Sequence, residues 1–211
     1  MADGPVPGLT TAPALWNGVE RLFGRPGEPS RCWCRFFALT GPEYSALDPA
    51  ARKAQLKEKF DGGSPAPGVL AFVDGQPVGW CAVEPRTCYP RVLRSRVLRQ
   101  AEKSGPPDSE TAPPDAADSV WSVTCFVVAA SHRRSGVAAA LLRAAVEHAR
   151  LNGADVVEGY PVDREQRPKA GPADLYQGTL NLFLRAGFTV ASSAVPGRAV
   201  VRLSLTGPKG T

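Results

Sequence analysis

The longest coherent pattern of apolar and polar positions runs from Val120 to Arg150, and it changes period part-way. Val120 to Val128 is β-branched and apolar with Ser122 and Thr124 interleaved, which predicts a buried strand. Ala129 to Gly136 is small and basic and predicts a loop. From Val137 the apolar positions Val137, Leu141, Leu142, Ala145, Val146 and Ala149 recur at helical spacing, and Asn152-Gly153 supplies a left-handed stop. A strand therefore runs into a tight basic turn, and the turn opens a helix.

The flanking pattern places the other elements. Leu15, Trp16, Val19, Leu22 and Phe23 form one face of a first helix over Ala14–Phe23. Arg31–Leu39 reads as a strand carrying Cys32, Trp33 and Cys34, with both cysteines on one face. Asp48–Phe60 reads as a charged helix with Asp48 as N-cap and Pro49 in its first turn. After a Gly/Pro linker at 62–68, Val69–Val73 and Val78–Val83 are strands joined through Asp74-Gly75, a strong hairpin signal. Tyr89–Gln100 is a further helix candidate, and Ser104–Asp118, rich in Pro and acid, reads as a mobile loop. Ala154–Gly159 is a strand, and Tyr160–Pro172 is a long polar loop suited to face a substrate. Leu175–Ala186 is a helix, and Phe188–Ala194 and Ala199–Leu205 are closing strands. Strands with crossover helices imply an α/β fold, a sheet covered on both faces. The expected organisation is a flexible N-terminus over 1–12, a single domain over 13–206 with its mobile loop at about 103–118, and a tail at 207–211.

Composition narrows the class. The chain has 211 residues, of which 43% are hydrophobic and 21% charged, enough for one ordinary core. The net charge of +5 is mostly Arg and is not gathered into a run, so it suits an anionic small ligand better than nucleic acid. No 18-residue apolar run predicts a membrane span, and the first ten residues lack the pattern of a signal peptide. A cytoplasmic location with five reduced cysteines is expected.

The turn is a candidate anion site on physical grounds alone. The first N–H groups of a helix have no internal partner and point at whatever sits before it. The helix dipole adds about 0.3–1 kcal/mol for a neighbouring anion. Gly136 permits close backbone approach, and Arg133 and Arg134 bring forked donors suited to phosphate. A plain strand–helix turn with two solvated arginines is the simpler alternative.

The spacing adds to this. Arg133-Arg134-Ser135-Gly136-Val137-Ala138 matches Arg/Gln-x-x-Gly-x-Gly/Ala between a strand and a helix, and so resembles the acyl-CoA-binding motif of the GNAT-family N-acetyltransferases. Asn181–Phe188 is similar to that family's later helix ending in Gly-Phe, and Gly68–Val83 is similar to the hairpin before the motif strand. Arg31–Phe36 with Gly79–Arg86 looks like a bacterial subgroup that carries a Cys-Trp-Cys strand. The resemblance implies a single GNAT-like domain with a mixed, mostly antiparallel twisted sheet. It also implies acetyl-CoA as co-substrate, an amine acceptor, and no metal; a homodimer is left open, and neither nucleic acid nor membrane is expected as a partner.

Carried onto this chain, the family pattern places the pantetheine arm along Phe126, Val127 and Val128. The pyrophosphate falls on Arg133, Arg134, Ser135, Gly136, Val137 and Ala138, with Phe183 beside the cofactor. The implied reaction is direct attack of an amine on the thioester, with a backbone N–H near Val127 or Val128 stabilising the oxyanion, a donor worth about 2.7–4 kcal/mol. Two features depart from the family. Relatives often carry a Glu where Ser122 stands, so the base falls to Glu84, to Asp118, or to a water chain relayed by Ser122 or Tyr160. Phe183 occupies the position of the family's Tyr acid, so that role falls to Tyr176, two turns earlier. An acyl-CoA-binding module with little or no catalysis, a sensor or partner-binding protein, is the alternative these two departures leave open.

The cysteines carry competing readings. Cys32, Cys34, Cys81 and Cys88 together could ligate zinc, but neither pair has knuckle spacing. Cys125 on the motif strand is either a small core residue or a thiol facing the thioester. Trp33, Trp80, Trp121 and Tyr160 are core residues or acceptor-pocket walls.

Overall fold

The strand over Val120–Val128 sits at the centre of a seven-stranded sheet in a computed structural model that describes residues 7–25, 27–63, 65–104 and 118–206. In chain order the elements are β1 (Leu9–Pro13), α1 (Trp16–Phe23), α2 (Glu28–Cys32), α3 (Gly41–Ala46), α4 (Pro49–Asp61), β2 (Gly68–Val73) and β3 (Gln76–Pro85). They continue with α5 (Pro90–Leu93), α6 (Arg96–Ser104), β4 (Val120–Val128), α7 (Val137–Leu151), β5 (Val156–Gly159), α8 (Leu180–Arg185), β6 (Thr189–Val195) and β7 (Arg198–Ser204). The strand order is β1-β2-β3-β4-β5-β7-β6, antiparallel throughout except for the parallel pair β4–β5.

Each face of the sheet buries a separate apolar cluster. On one face α7 lays Val137, Leu141, Leu142, Ala145 and Ala149 on Val78, Cys81, Val83, Val123 and Phe126. Its approach to the hairpin is close: a Cβ on Gly79 would lie 2.8 Å from Val137. On the other face Val19, Leu22, Phe23, Trp33 and Leu56 cover Leu70, Trp80, Ala82, Cys125 and Val127. A third cluster joins Tyr89, Val92 and Leu98 to Tyr160 and Val200.

The pairing of β4 is irregular in two places. Ala82 pairs with Cys125 and the next residue, Val83, pairs with Val123, so Thr124 is an extra residue in β4 and the strand bulges there. The parallel pairing with β5 stops at Val123–Gly159. A Cβ on Gly159 would lie 2.3 Å from the Phe183 ring, so that side chain packs directly on the backbone where the two strands end their pairing. Beyond this point β4 pairs only with β3 among the described strands, and the other backbone edge of Cys125–Val128 is turned toward a cleft.

Several expectations are corrected. Residues 9–12 are not a loose N-terminus: β1 pairs with β2 from Leu9–Val73 to Pro13–Val69 and forms the sheet edge. The strand expected at Arg31–Leu39 is absent. Instead α2 ends at Cys32, and Trp33 and Cys34 follow at φ 45 and φ 53. The Trp33 ring is buried between Trp16 and Phe23, at 6.0 and 5.8 Å, and this burial outweighs the strand propensity of the segment. The helix expected over Leu175–Ala186 is broken at Gly178, φ 77, into a 3-10 turn (Pro172–Gln177) and α8, which Thr179 caps. Tyr89–Gln100 divides between α5 and α6. Asp48 caps α4 as expected, accepting from Ala51 N at 2.7 Å. Most of the expected mobile loop, 105–117, and the tail at 207–211 lie outside the described residues.

Candidate active site

The motif turn has the shape that its composition implies. After Val128 the chain makes a 3-10 turn (Ala130–His132), Arg134 takes φ 60, and Gly136 takes φ 79 immediately before α7. No side chain caps α7, so the N–H groups of its first turn keep their orphan donors. Nothing lies within 4 Å of where a Gly136 Cβ would stand, so the approach to these donors is open. Arg133 Nε donates to Val128 O at 3.3 Å, which holds that side chain beside the end of β4.

Two cavities meet at this turn, and a third adjoins the first. A cleft of about 480 Å³ is lined by Phe126, Val127 and Val128, by Arg133, Arg134, Gly136, Val137 and Ala138, and by Tyr176 and Thr179. An outer groove of about 1150 Å³ continues from it between α7 and α8, with Gly136 and Thr179 at the join and Ser135, Arg143 and Arg185 on the groove alone. On the other side lies a pocket of about 390 Å³ walled by Phe23, Phe36, Phe37 and Tyr44, by the thiols of Cys32, Cys34 and Cys125, and by Asp174, Gln177 and Arg198. This pocket and the cleft share Pro29, Val127 and Tyr176.

The sequence matches the Acetyltransferase (GNAT) family over residues 33–166, well over half of the chain. The chain belongs to that family. Among solved structures, yncA of Salmonella typhimurium, described as an acetyltransferase with its cofactor acetyl-CoA, is similar at 14% identity and TM-score 0.55, covering 96% of this chain and 97% of that one. An N-acetyltransferase of Staphylococcus aureus Mu50 is similar at 14% identity and TM-score 0.53, covering 94% and 99% of the two chains. A ribosomal-protein-alanine N-acetyltransferase of Brucella melitensis is similar at 16% and TM-score 0.52, covering 93% and 99%. At these identities the likeness is one of fold. No curated protein matches the sequence.

Acetyl-CoA is the co-substrate of this GNAT domain, and the orphan first-turn donors, the open Gly136 and the β4 edge that no described strand pairs beyond Val123 fit such a ligand. The expected cofactor residues on β4 and in the turn come together in the cleft, except Ser135, which lines the outer groove. Phe183 does not join them. It is fully buried, packed edge-on to Phe126 and Phe188, and stands behind the cleft wall.

The two expected catalytic residues separate. Tyr176 lies where cleft and pocket meet. Glu84 is corrected: it opens on neither, but lines a different cavity with Arg35, Gln55 and Cys88, where Lys59 Nζ holds it at 2.8 Å. Asp118 is tied to Thr87 Oγ1 at 2.9 Å, and it lines none of these cavities. Ser122 and Tyr160 are bonded to each other at 2.8 Å, and Tyr160 donates to Glu158 at 2.6 Å. Burial and the Glu158 charge hold the Tyr160 phenol well above its usual range, so it stays protonated.

Sequence reasoning missed Glu158, Arg143, Arg185 and the polar rim of the pocket. Glu158 is fully buried on β5, held by Arg202 at 2.7 Å and Arg86 at 3.4 Å. A lone Glu in an apolar strand was its one signal. Arg143 lies seven residues beyond Gly136, on the same helix face, which its spacing could have revealed. Among the described residues no group of three or more His, Cys, Asp or Glu side chains could hold a metal ion. No described helix is long and apolar enough to cross a membrane.

Proposed function

We propose that this GNAT protein transfers the acetyl group of acetyl-CoA to the amine of a molecule with an apolar or aromatic body. The observation that carries this is the continuity of the cleft and the aromatic pocket through Val127 and Tyr176. A donor lying along β4 would present its reactive end to the mouth of a cavity large enough for a small organic amine.

Acetyl-CoA, when bound, supplies an activated acetyl group and a thiolate leaving group. The first-turn N–H groups of α7 with Arg133 and Arg134 would hold its phosphates, and Arg143 and Arg185 would meet its nucleotide end. The free backbone edge of Phe126, Val127 and Val128 would position its arm and turn an N–H toward the thioester oxygen. Tyr176 would give its phenolic proton at the junction. The pocket walls Phe23, Phe36, Phe37 and Tyr44 would bury the acceptor's apolar body. Asp174 at the rim is already engaged by Gly171 N at 3.0 Å and Arg167 at 3.2 Å.

The test is calorimetric titration of acetyl-CoA into the wild type and Gly136→Glu, followed by turnover with a panel of aliphatic and aromatic amines. Micromolar binding that the variant loses, with turnover of aromatic amines, supports the reading. Binding without any turnover supports the alternative of an acyl-CoA-binding module. Absence of binding to the wild type removes both.

A further inference from the structure

Glu84 lines a different cavity, and three cysteines, Cys32, Cys34 and Cys125, line the pocket itself. Cys34 lines the pocket together with Cys125 and Val127. Its sulfur accepts a hydrogen bond from Trp80 Nε1 at 3.2 Å, and Cys125 lines the same pocket wall. The backbone that places it there is unusual. Trp33 and Cys34 are consecutive non-glycine residues with φ of 45 and 53, a conformation that L side chains rarely adopt. Such strain persists only where packing over-determines it, and here the buried Trp33 ring is the clamp.

We propose that Cys34 is the catalytic base, its thiolate taking the proton of the acceptor's ammonium group in the pocket. The assignment rests on the acetyltransferase reading of the cleft. In this step an N–H bond of the ammonium breaks and leaves its electron pair on nitrogen, while a thiolate lone pair forms the S–H bond. The products are a neutral amine, now nucleophilic, and a neutral thiol. The thiol then returns its proton to water at the pocket mouth and regains its charge.

The surroundings favour the charged sulfur. The Cys125 thiol and the Trp80 N–H, with the nearby Arg35, hold Cys34 below the usual thiol range against its burial and the Glu84 charge. The other thiols and the phenol nearby are raised: Cys125 by its interaction with Cys34 and by burial, and Cys32, Cys81 and Tyr89 chiefly by burial. On the rest of the pocket wall, Arg198 is bonded to Gln177 at 2.7 Å and Asp174 to Arg167. Neither is better placed than Cys34 to take a proton.

Two measurements test this. The first is the rate of iodoacetamide alkylation of Cys34 against pH, read by mass spectrometry on the full-length protein. The expected midpoint lies below the ordinary thiol value and moves up in Cys125→Ala and Trp80→Phe. A midpoint at or above the ordinary value overturns the proposal whatever the turnover. The second is turnover of 2-phenylethylamine by Cys34→Ala and Cys34→Ser, with acetyl-CoA calorimetry on each to verify the fold. At pH 7 kcat/KM is expected to fall by about 100-fold or more with the acetyl-CoA Kd unchanged, and the deficit to shrink as rising pH deprotonates the amine. Wild-type turnover in both variants, or a deficit equal at every pH, overturns the base assignment. So does an acetyl thioester on Cys34 after incubation with acetyl-CoA alone, which would make the sulfur a nucleophile. Failure of the wild type to bind acetyl-CoA would sink the acetyltransferase reading instead, and the alkylation profile would still judge the thiolate.

Discussion

The Tyr160 hydroxyl donates to Glu158 Oε1 at 2.6 Å, and Glu158 has no exposed surface. With Arg202 on its other oxygen at 2.7 Å, this carboxylate ties β5 to β7 and to the start of the long loop. Glu158→Ala removes the acceptor from Tyr160 and the counter-charge from two arginines. Breaking a buried pair from one side costs about 3–5 kcal/mol, and the partial exposure of Arg202 argues for the lower end. Chemical denaturation should therefore show a loss of about 3 kcal/mol. A loss below about 1 kcal/mol, the size of a surface pair, would mean that the network is not structural.

Tyr176→Phe removes one hydroxyl at the junction of cleft and pocket. The kcat should fall by about 10²–10⁴-fold while acetyl-CoA affinity holds, because only proton delivery is lost. Steady-state kinetics with calorimetry separates the two. An unchanged kcat would return the phenol to a packing role.

Arg143→Ala should weaken acetyl-CoA about tenfold, or about 1.4 kcal/mol, if the outer groove holds the nucleotide end. The difference from wild type should narrow as salt screens an exposed arginine. A salt-independent difference would point to a change in the groove's shape.

His148 predicts acid sensitivity. It is buried against Trp121, with Nε2 3.0 Å from Ala66 O. Burial lowers its pKa, so protonation favours the unfolded chain. The stability contribution is complete above the unfolded value of about 6.5 and is lost as pH falls through the depressed folded value. Tm should decline below about pH 6.5, and His148→Gln, which keeps an N–H for Ala66, should flatten that decline. An identical pH profile in the variant would exclude His148 as the source.

Gly159→Ala tests the place where β4 and β5 end their pairing. The new Cβ would lie 2.3 Å from Phe183 Cε1, with Phe126 and Phe188 hemming that ring. Overpacking of this kind costs about 1–3 kcal/mol, measurable by denaturation. No loss would mean that the Phe183 ring can withdraw.

The motif turn was legible because every signal for it is local. A β-branched apolar run through Val128, a basic turn, Gly136 and helical spacing from Val137 all concern neighbours in the chain, and the element boundaries fall where those patterns change. The hairpin through Asp74-Gly75 and the cap at Asp48 are legible for the same reason. Cys32-Trp33-Cys34 was misread because strand propensity is the weaker effect there: Trp33 gains more by burial between Trp16 and Phe23 than its backbone loses in a left-handed conformation. The break at Gly178 follows from close packing against Phe183 and Phe126, residues whose proximity sequence spacing does not encode.

By itself, then, the sequence determined the anion-binding turn, its strand and helix, and through them the family. Tertiary structure alone decided which side chains share the aromatic pocket beside the cleft. The sequence offers Glu84 as a proton acceptor and gives no such sign at Cys34, but α4 covers Glu84 with Lys59, while the turn after α2 delivers Cys34 to Trp80 and to the pocket that Cys125 also lines. The reason is physical: a helix N-terminus makes its site from consecutive backbone groups, whereas a proton acceptor is defined by charges and hydrogen bonds that meet only when distant segments pack.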